Sequence, residues 1–438
     1  MENASPCGAR NPLRRRSFGV GVVVLIFLAI TIVPPAPAHA YYHHYRHHHH
    51  YLRRRRVHVI PYHAELLEDA DSGRVLYAYN ATVEWPPASM AKMMLMLVVE
   101  DELKAGHIHL DDPVRISWLS AHTEGSRLGL RQGQVFPLRE LMKAALIRSA
   151  NDAAVAVAQA ACGSVQACVE KMNQRAEELG MIGTHYQTVD GLPPTPGHDV
   201  DYTDALDLAT LARTLIHETN LLEWTGLAQT PFDGGRYILH NTNYLVGHLD
   251  GCDGLKTGFT MMAGFNLTAT AIRDNMRLVS VVLGAPSNPA RFSQSARLLD
   301  WGFDNFERVA VLKRGQPLPV HVQVESGPLI QPVAPRDLAL VVRKSAVAGL
   351  KLEYNIPGMI SGPVTPGRPM GEVIVTDNGQ VMSKFDAICP MIEPAATSKS
   401  TVAAASPPAG VNENHGISVT GGIGKQAGAF IPDPVESK

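Results

Sequence analysis

GFNLTATAIRDNMRLVSVVLGA, residues 264–285, decides the fold. It reads as two strands joined at Asp274-Asn275, residue types that favour a tight reversal. A further strand-like run, DGLKTGFT at 253–260, comes just before it. Far upstream, AELLEDADSGRVLYAYN at 64–80 alternates well enough for two more strands around an Asp71-Ser72-Gly73 turn. The early and late strands complete one sheet only by pairing across everything between them.

What lies between is mostly helical, from about Ser89 to His217. FPLRELMKAALIRS has apolar residues at helical spacing, with Pro137 expected in the first turn. NDAAVAVAQAACG is a second apolar helix stopped by Gly163, and the next is expected to run from a Ser164 cap to Gly180. YTDALDLATLARTLIHE repeats the pattern with Thr203 as the expected cap, and PARFSQSARLLDWGFDNF closes the unit. The class is therefore α/β (α+β), a sheet with helices. From about Val309 the texture changes to short β-like runs (LPVHVQVES, DLALVVRK, LKLEYNI, MGEVIVTDNGQVM), with Asp377-Asn378-Gly379 as a hairpin signal. This predicts a catalytic unit over 61–308 and a small all-β domain over 309–391.

At 438 residues, two domains are the natural expectation, and a formal net charge of -2 gives no push towards nucleic acid. Arg10, Arg14, Arg15 and Arg16 precede a short apolar run and then Ala38-His39-Ala40, the pattern of a signal peptide over 1–40. The alternative is an uncleaved anchor, but the run is short against the ~20 residues needed to span a bilayer. An export destination, periplasm or cell envelope, follows. Residues 41–60 form a His/Arg-rich linker, read as a solvated leader in preference to a metal- or polyanion-binding tract. Residues 392–438 are poor in apolar pattern and read as a disordered tail. Beyond Cys7, the cysteines are Cys162, Cys168, Cys252 and Cys389, which permit three pairings. A local Cys162–Cys168 disulfide and free thiols are equally compatible with the sequence, and no spacing suggests zinc.

Three short polar segments carry the chemistry. In PPASMAKMML, Ser89 and Lys92 are three apart, a spacing that shares a helix face. Met90, Met93, Met94, Leu95 and Met96 make the setting dry, which penalises an ammonium and favours a basic amine. Ser149-Ala150-Asn151 lies between two apolar helices, and Lys256-Thr257-Gly258 heads a strand. Each alone is weak. Together, in this order, they are the SxxK, SxN and KTG set.

With these motifs the chain resembles the low-molecular-mass penicillin-binding proteins that act as serine-type D-alanyl-D-alanine carboxypeptidases. The likeness runs from about Ala64 to Cys389 and includes GTHYQTVDGL, HNTNYLVG and LLDWGF. It implies a penicillin-binding/serine β-lactamase-like domain, a sheet flanked by helices plus a helical subdomain, followed by the small β domain. It implies Ser89 as nucleophile, Lys92 as general base, Ser149 as proton relay and Asn151 as a holder of lysine and substrate. Lys256 and Thr257 would bind the substrate's terminal carboxylate, and Gly258 would let its backbone lie close. The N–H groups of Ser89 and Phe259 would form the oxyanion hole. Peptidoglycan pentapeptide is the implied substrate and β-lactams are the implied inhibitors, with no metal or cofactor. Phe259 stands where relatives often carry a polar residue. The family's C-terminal amphipathic helix is not evident, which leaves membrane attachment open.

Three other readings compete. A class A-like β-lactamase needs a glutamate after SxN, and Glu218 or Glu223 falls in the region. A D-Ala-specific endopeptidase shares the motifs but usually lacks the β domain. A non-catalytic wall- or metal-binding envelope protein would not react with penicillin.

Overall fold

The computed structural model describes residues 62–192 and 199–391. The expected signal peptide, the His/Arg-rich linker and the tail lie outside the described residues.

The chain opens with β1 (Ala64–Asp69) and β2 (Val75–Tyr79), then a 3-10 turn (Ala88–Met90) leading into α1 (Ala91–Lys104). A mainly helical stretch follows: β3 (Pro113–Arg115), α2 (Trp118–Ala121), β4 (Val135–Pro137), α3 (Leu138–Ile147), α4 (Asn151–Cys162) and α5 (Val165–Glu178). Next come α6 (Ala205–Glu218), α7 (Leu222–Thr225), β5 (Gln229–Phe232) and β6 (Tyr237–His240). The strands β7 (Cys252–Thr260), β8 (Gly264–Arg273) and β9 (Met276–Ala285) and the helix α8 (Asn288–Asn305) complete this part.

The main sheet has the order β2-β1-β9-β8-β7, and each neighbouring pair is antiparallel. Long-range pairing of β1, the first strand, with β9, the last of the sheet's five in chain order, is thus what closes it, with Leu66 opposite Val281 and Leu67 opposite Ser280. The β8–β9 hairpin turns at Asp274 and Asn275, both at positive φ (49° and 59°), as a two-residue turn compatible with strand twist requires. Because side chains alternate, the sheet has two buried faces. Leu66, Val279, Val281 and Leu283 pack into the helical core, while Leu67, Leu278 and Val282 pack with Leu299 and Phe303 of α8. Every residue of α1 from Ala91 to Val99 is buried, as expected of a helix apolar on all sides.

Three local expectations are corrected. Pro137 precedes α3 as its N-cap in extended conformation, because it still pairs with Pro113 in the β3–β4 ladder. Asp204, not Thr203, caps α6: its carboxylate accepts from the Asp207 N–H at 2.8 Å. Thr203 is committed to a backbone bridge with Trp85, and its hydroxyl pairs with that of Thr184 at 2.8 Å. The third concerns where the texture changes. Strand β10 (Phe306–Leu312) starts directly after α8, three residues ahead of Val309. The helix stop at Gly163 (φ 80°) and the Ser164 cap on Ala167 N–H are as the sequence predicts.

From β10 on, the chain builds β11 (Val322–Val324), β12 (Leu329–Ile330), β13 (Leu338–Arg343), β14 (Leu350–Asn355), β15 (Met359–Ile360), β16 (Pro369–Asp377) and β17 (Gln380–Ile388). They form small sheets β10-β13, β12-β11-β15 and β14-β16-β17, around two apolar clusters of their own. Val341 of β13 joins the α8-side core, and Arg74 donates to its carbonyl at 2.7 Å. Cys162 and Cys168 are disulfide-bonded, whereas Cys252 and Cys389 are free and buried. Among the described residues, no single helix is long and apolar enough to cross a membrane.

Candidate active site

Ser89 occupies the 3-10 turn ahead of α1, where Ala88 is held at φ 51°. That strained turn is clamped from three sides. Asn266 of β8 donates its amide to the carbonyls of Pro86 (2.9 Å) and Pro87 (3.3 Å). Gly258 of β7 presses so close that a Cβ there would stand 2.5 Å from the Pro87 oxygen. Gly191 is closer still: its Cβ would stand 1.8 Å from the Ala88 oxygen, and its φ of 79° already favours glycine.

One turn on, Lys92 is fully buried. Its Nζ lies 3.0 Å from Ser89 Oγ, 2.7 Å from Asn151 Oδ1 and 2.7 Å from the Asp190 carbonyl. Burial pushes its pKa down from 10.5 to about 8, against the opposing pull of Asp190, Asp201 and Asp152. Asn151 begins α4 and donates its own amide to Glu124 O at 2.8 Å, which fixes the oxygen towards Lys92.

Ser149 sits in the connection between α3 and α4 at φ 63°. Its Oγ accepts from Lys256 Nζ at 2.8 Å, and the same amine donates to the Thr257 carbonyl at 3.0 Å. Lys256 is 1% exposed, and its pKa is held well below the ordinary lysine value by burial, then by Lys92 and Arg291. The charge of Lys92 thus adds to the burial of Lys256 in disfavouring two charges in one dry site. Thr257 donates its hydroxyl to Thr242 at 2.8 Å. Phe259 is half exposed and stacks on Phe265 with ring centroids 4.3 Å apart.

All three motifs thus converge: Ser89, Lys92 and Asn151 in one hydrogen-bonded group, Ser149 and Lys256 in another, with Gly258 against the Ser89 turn. Glu218 and Glu223 do not join them. Glu218 is held by Arg175 (3.1 Å) and Lys104 (3.8 Å), and Glu223 is exposed on α7. The β-lactamase reading loses its candidate glutamates.

Sequence reasoning assigned no role to several residues that shape the site. Asp152 accepts from the N–H groups of Leu128, Gly129 and Leu130, pinning the loop beside α4. Arg291 of α8 donates to the carbonyls of Gly258 (2.9 Å) and Asn266 (3.1 Å), behind the KTG strand. The Asp190 carbonyl and Gly191 lie in the GTHYQTVDGL segment, whose Asp-Gly pair signals a turn and not what the turn touches.

A serine, a desolvated lysine and a second buried lysine on a neighbouring strand define a penicillin-binding fold equipped for acyl transfer. Residues 57–287 match the model of the D-alanyl-D-alanine carboxypeptidase family, Peptidase S11. The D-alanyl-D-alanine carboxypeptidase DacF of Bacillus subtilis is 33% identical over 325 residues, 73% of this chain and 82% of that protein. DacD of Escherichia coli is 31% identical over 73% of this chain and 84% of its own length. Penicillin-binding protein 5 from Haemophilus influenzae superposes with a TM-score of 0.68 at 28% identity, covering 76% of this chain and 97% of that one. Penicillin-binding protein D2 from Listeria monocytogenes, solved in an ampicillin-bound form, has a TM-score of 0.51 at 31% identity, covering 56% and 97%. The chain belongs to the D-alanyl-D-alanine carboxypeptidase family of serine peptidases.

Proposed function

We propose that the protein removes the terminal D-alanine from peptidoglycan pentapeptides through an acyl-enzyme on Ser89, and that β-lactams acylate the same hydroxyl. A neutral amine has two hydrogens and one lone pair. Asn151 Oδ1 and the Asp190 carbonyl each take a hydrogen from Lys92, so the lone pair is left for the Ser89 hydroxyl at 3.0 Å. The observation that carries the reading is this triple contact on a fully buried lysine.

Ser89 Oγ gives its proton to Lys92 and bonds to the carbonyl carbon between the two D-alanines. The backbone N–H groups of Ser89 and Phe259 stabilise the oxyanion. As the tetrahedral intermediate collapses, the C–N bond breaks and the departing amine takes a proton relayed by Ser149. Lys256 and Thr257 hold the free carboxylate of the leaving D-alanine, which selects a chain end over an internal peptide bond. Water then attacks the ester, returning the proton to Ser89. The 306–391 segment is proposed as a separate small β domain, and the basic-apolar N-terminus as an export signal that delivers the enzyme to the periplasm or envelope.

Intact-mass analysis after penicillin treatment tests the assignment, with D-alanine release measured in parallel. The wild type should gain a penicilloyl adduct and liberate D-alanine, and Ser89→Ala should do neither. An unlabelled wild type would instead favour the wall-binding alternative.

A further inference from the structure

The contact between Lys92 and the Asp190 carbonyl depends on a backbone segment that would not hold its shape alone. Residues 187–191 form no regular element. Their conformation is set by Asp201, ten positions after Gly191 and 5% exposed. One Asp201 oxygen accepts from the backbone N–H groups of Gln187 (2.6 Å) and Thr188 (2.9 Å). The other accepts from the Thr188 hydroxyl at 2.7 Å. That hydroxyl oxygen in turn accepts from the Gly191 N–H at 2.9 Å. Three donors therefore converge on one carboxylate. A fourth bond closes a ring around Asp190, whose carbonyl faces Lys92 while Gly191 packs on the Ser89 turn.

We propose that Asp201 is a positioning residue for the reaction: through Thr188 it fixes residues 187–191, and so the direction of the carbonyl that orients the Lys92 amine. This rests on the reading of Lys92 as the base. Bonds to an ionised acceptor are the strong, short kind, and three on one buried carboxylate make a rigid support. The Thr188 hydroxyl can donate to Asp201 and accept from Gly191 together, which makes it the link between carboxylate and turn.

The charged and titratable groups around the pair are few. Asp190, Tyr186 and Lys92 interact electrostatically with Asp201, and Lys92 does so in addition with Asp152 of α4 and Lys256 of β7. Burial, aided by Asp190, pushes Asp201 up to about 6 against its own hydrogen bonds, so it is ionised where Lys92 loses its proton. Asp201 also stabilises the ammonium of Lys92 electrostatically. Two separable effects follow: support of geometry, and an influence on the lysine's titration.

The test is the rate of acylation by a fluorescent penicillin against pH, on the purified protein and its variants. Asp201→Asn keeps one acceptor oxygen but replaces the other with a donor. It should lower the alkaline plateau about tenfold and move the midpoint to lower pH, since an anion facing Lys92 is gone. Thr188→Val should lower the plateau similarly and leave the midpoint in place, and Thr188→Ser, which restores the hydroxyl, should recover most of the rate. A loss of thermal stability alone would leave both plateau and midpoint unmoved. A plateau within about twofold of wild type in folded Asp201→Asn or Thr188→Val overturns the proposal. Should Asp201→Asn fail to fold, the Thr188 pair decides. Acylation that survives Lys92→Met would instead overturn the base assignment, and this inference with it.

Discussion

Ser149 Oγ and Lys256 Nζ are separated by 107 positions of chain and by 2.8 Å in space. Ser149 hangs in the left-handed region between two apolar helices, and Lys256 rises from the edge strand of the sheet. Their hydrogen bond ties the α3–α4 connection to strand β7. The charge of Lys92 disfavours a second charge on Lys256, so the two polar groups of the site are linked electrostatically.

The first prediction concerns pH. Lys92 has a lowered pKa of about 8, so it is charged below that value and a base above it. Acylation by penicillin should rise with pH through about 8 and then level. Lys92→Met should reduce the rate by roughly 10^4-fold or more at every pH while leaving the far-ultraviolet circular dichroism unchanged. A flat profile from pH 6 to 9 in the wild type would count against a lysine base.

Gly191→Ala tests the clamp on the nucleophile turn. The added methyl would sit 1.8 Å from the Ala88 oxygen and 2.8 Å from the Ser89 nitrogen, on backbone that cannot yield as a flexible side chain would. Acylation should fall about 100-fold, the order expected when a reacting atom is misplaced by an ångström. Labelling rates measured on folded protein decide it; a variant that labels at the wild-type rate would show that the turn is looser than its packing implies.

Arg291 offers a stability test. It is buried, and one of its nitrogens serves both the Gly258 and the Asn266 carbonyls, with the guanidinium 4.8 Å from the Phe292 ring. Arg291→Met removes both of these buried charge-assisted bonds and should cost roughly 2–3 kcal/mol in urea unfolding. Arg291→Lys should recover only part of this, since an ammonium is a point charge with no planar fork.

Glu68 makes stability depend on pH. It is 2% exposed, and burial raises its pKa from 4.5 to about 7 although Arg213 stands 3.7 Å away. Desolvation outweighs the ion pair. A carboxyl with a raised folded pKa stabilises the protein below its unfolded pKa, and that contribution is lost as pH rises through the folded value. From pH 4.5 to about 7, then, Glu68 should take away at most about 3 kcal/mol. Glu68→Gln should be more stable than wild type at pH 8, with the advantage disappearing near pH 4.5 in thermal melts. Equal melting temperatures at pH 8 would show that Arg213 compensates fully.

Much of this molecule was written in short-range signals. The Asp274-Asn275 hairpin, the Gly163 stop, the Ser164 cap and the Asp71-Ser72-Gly73 turn depend on a few neighbouring residues, so the sequence alone determined them. The SxxK, SxN and KTG segments were legible for the same reason, as side-chain identities at fixed spacing. The tertiary structure decided what those segments touch. Thr203 lost the cap of α6 to Asp204 because Trp85 and Thr184, far away in the chain, had already engaged it. Lys92 is held by a backbone carbonyl, a group that every residue carries and no sequence pattern marks. The bond between Cys162 and Cys168, which the sequence left open, was settled by a Cα–Cα distance of 5.1 Å across a helix break. Turn and helix propensities act over a few residues, whereas contacts between distant segments are fixed only once the sheet closes and the core excludes water.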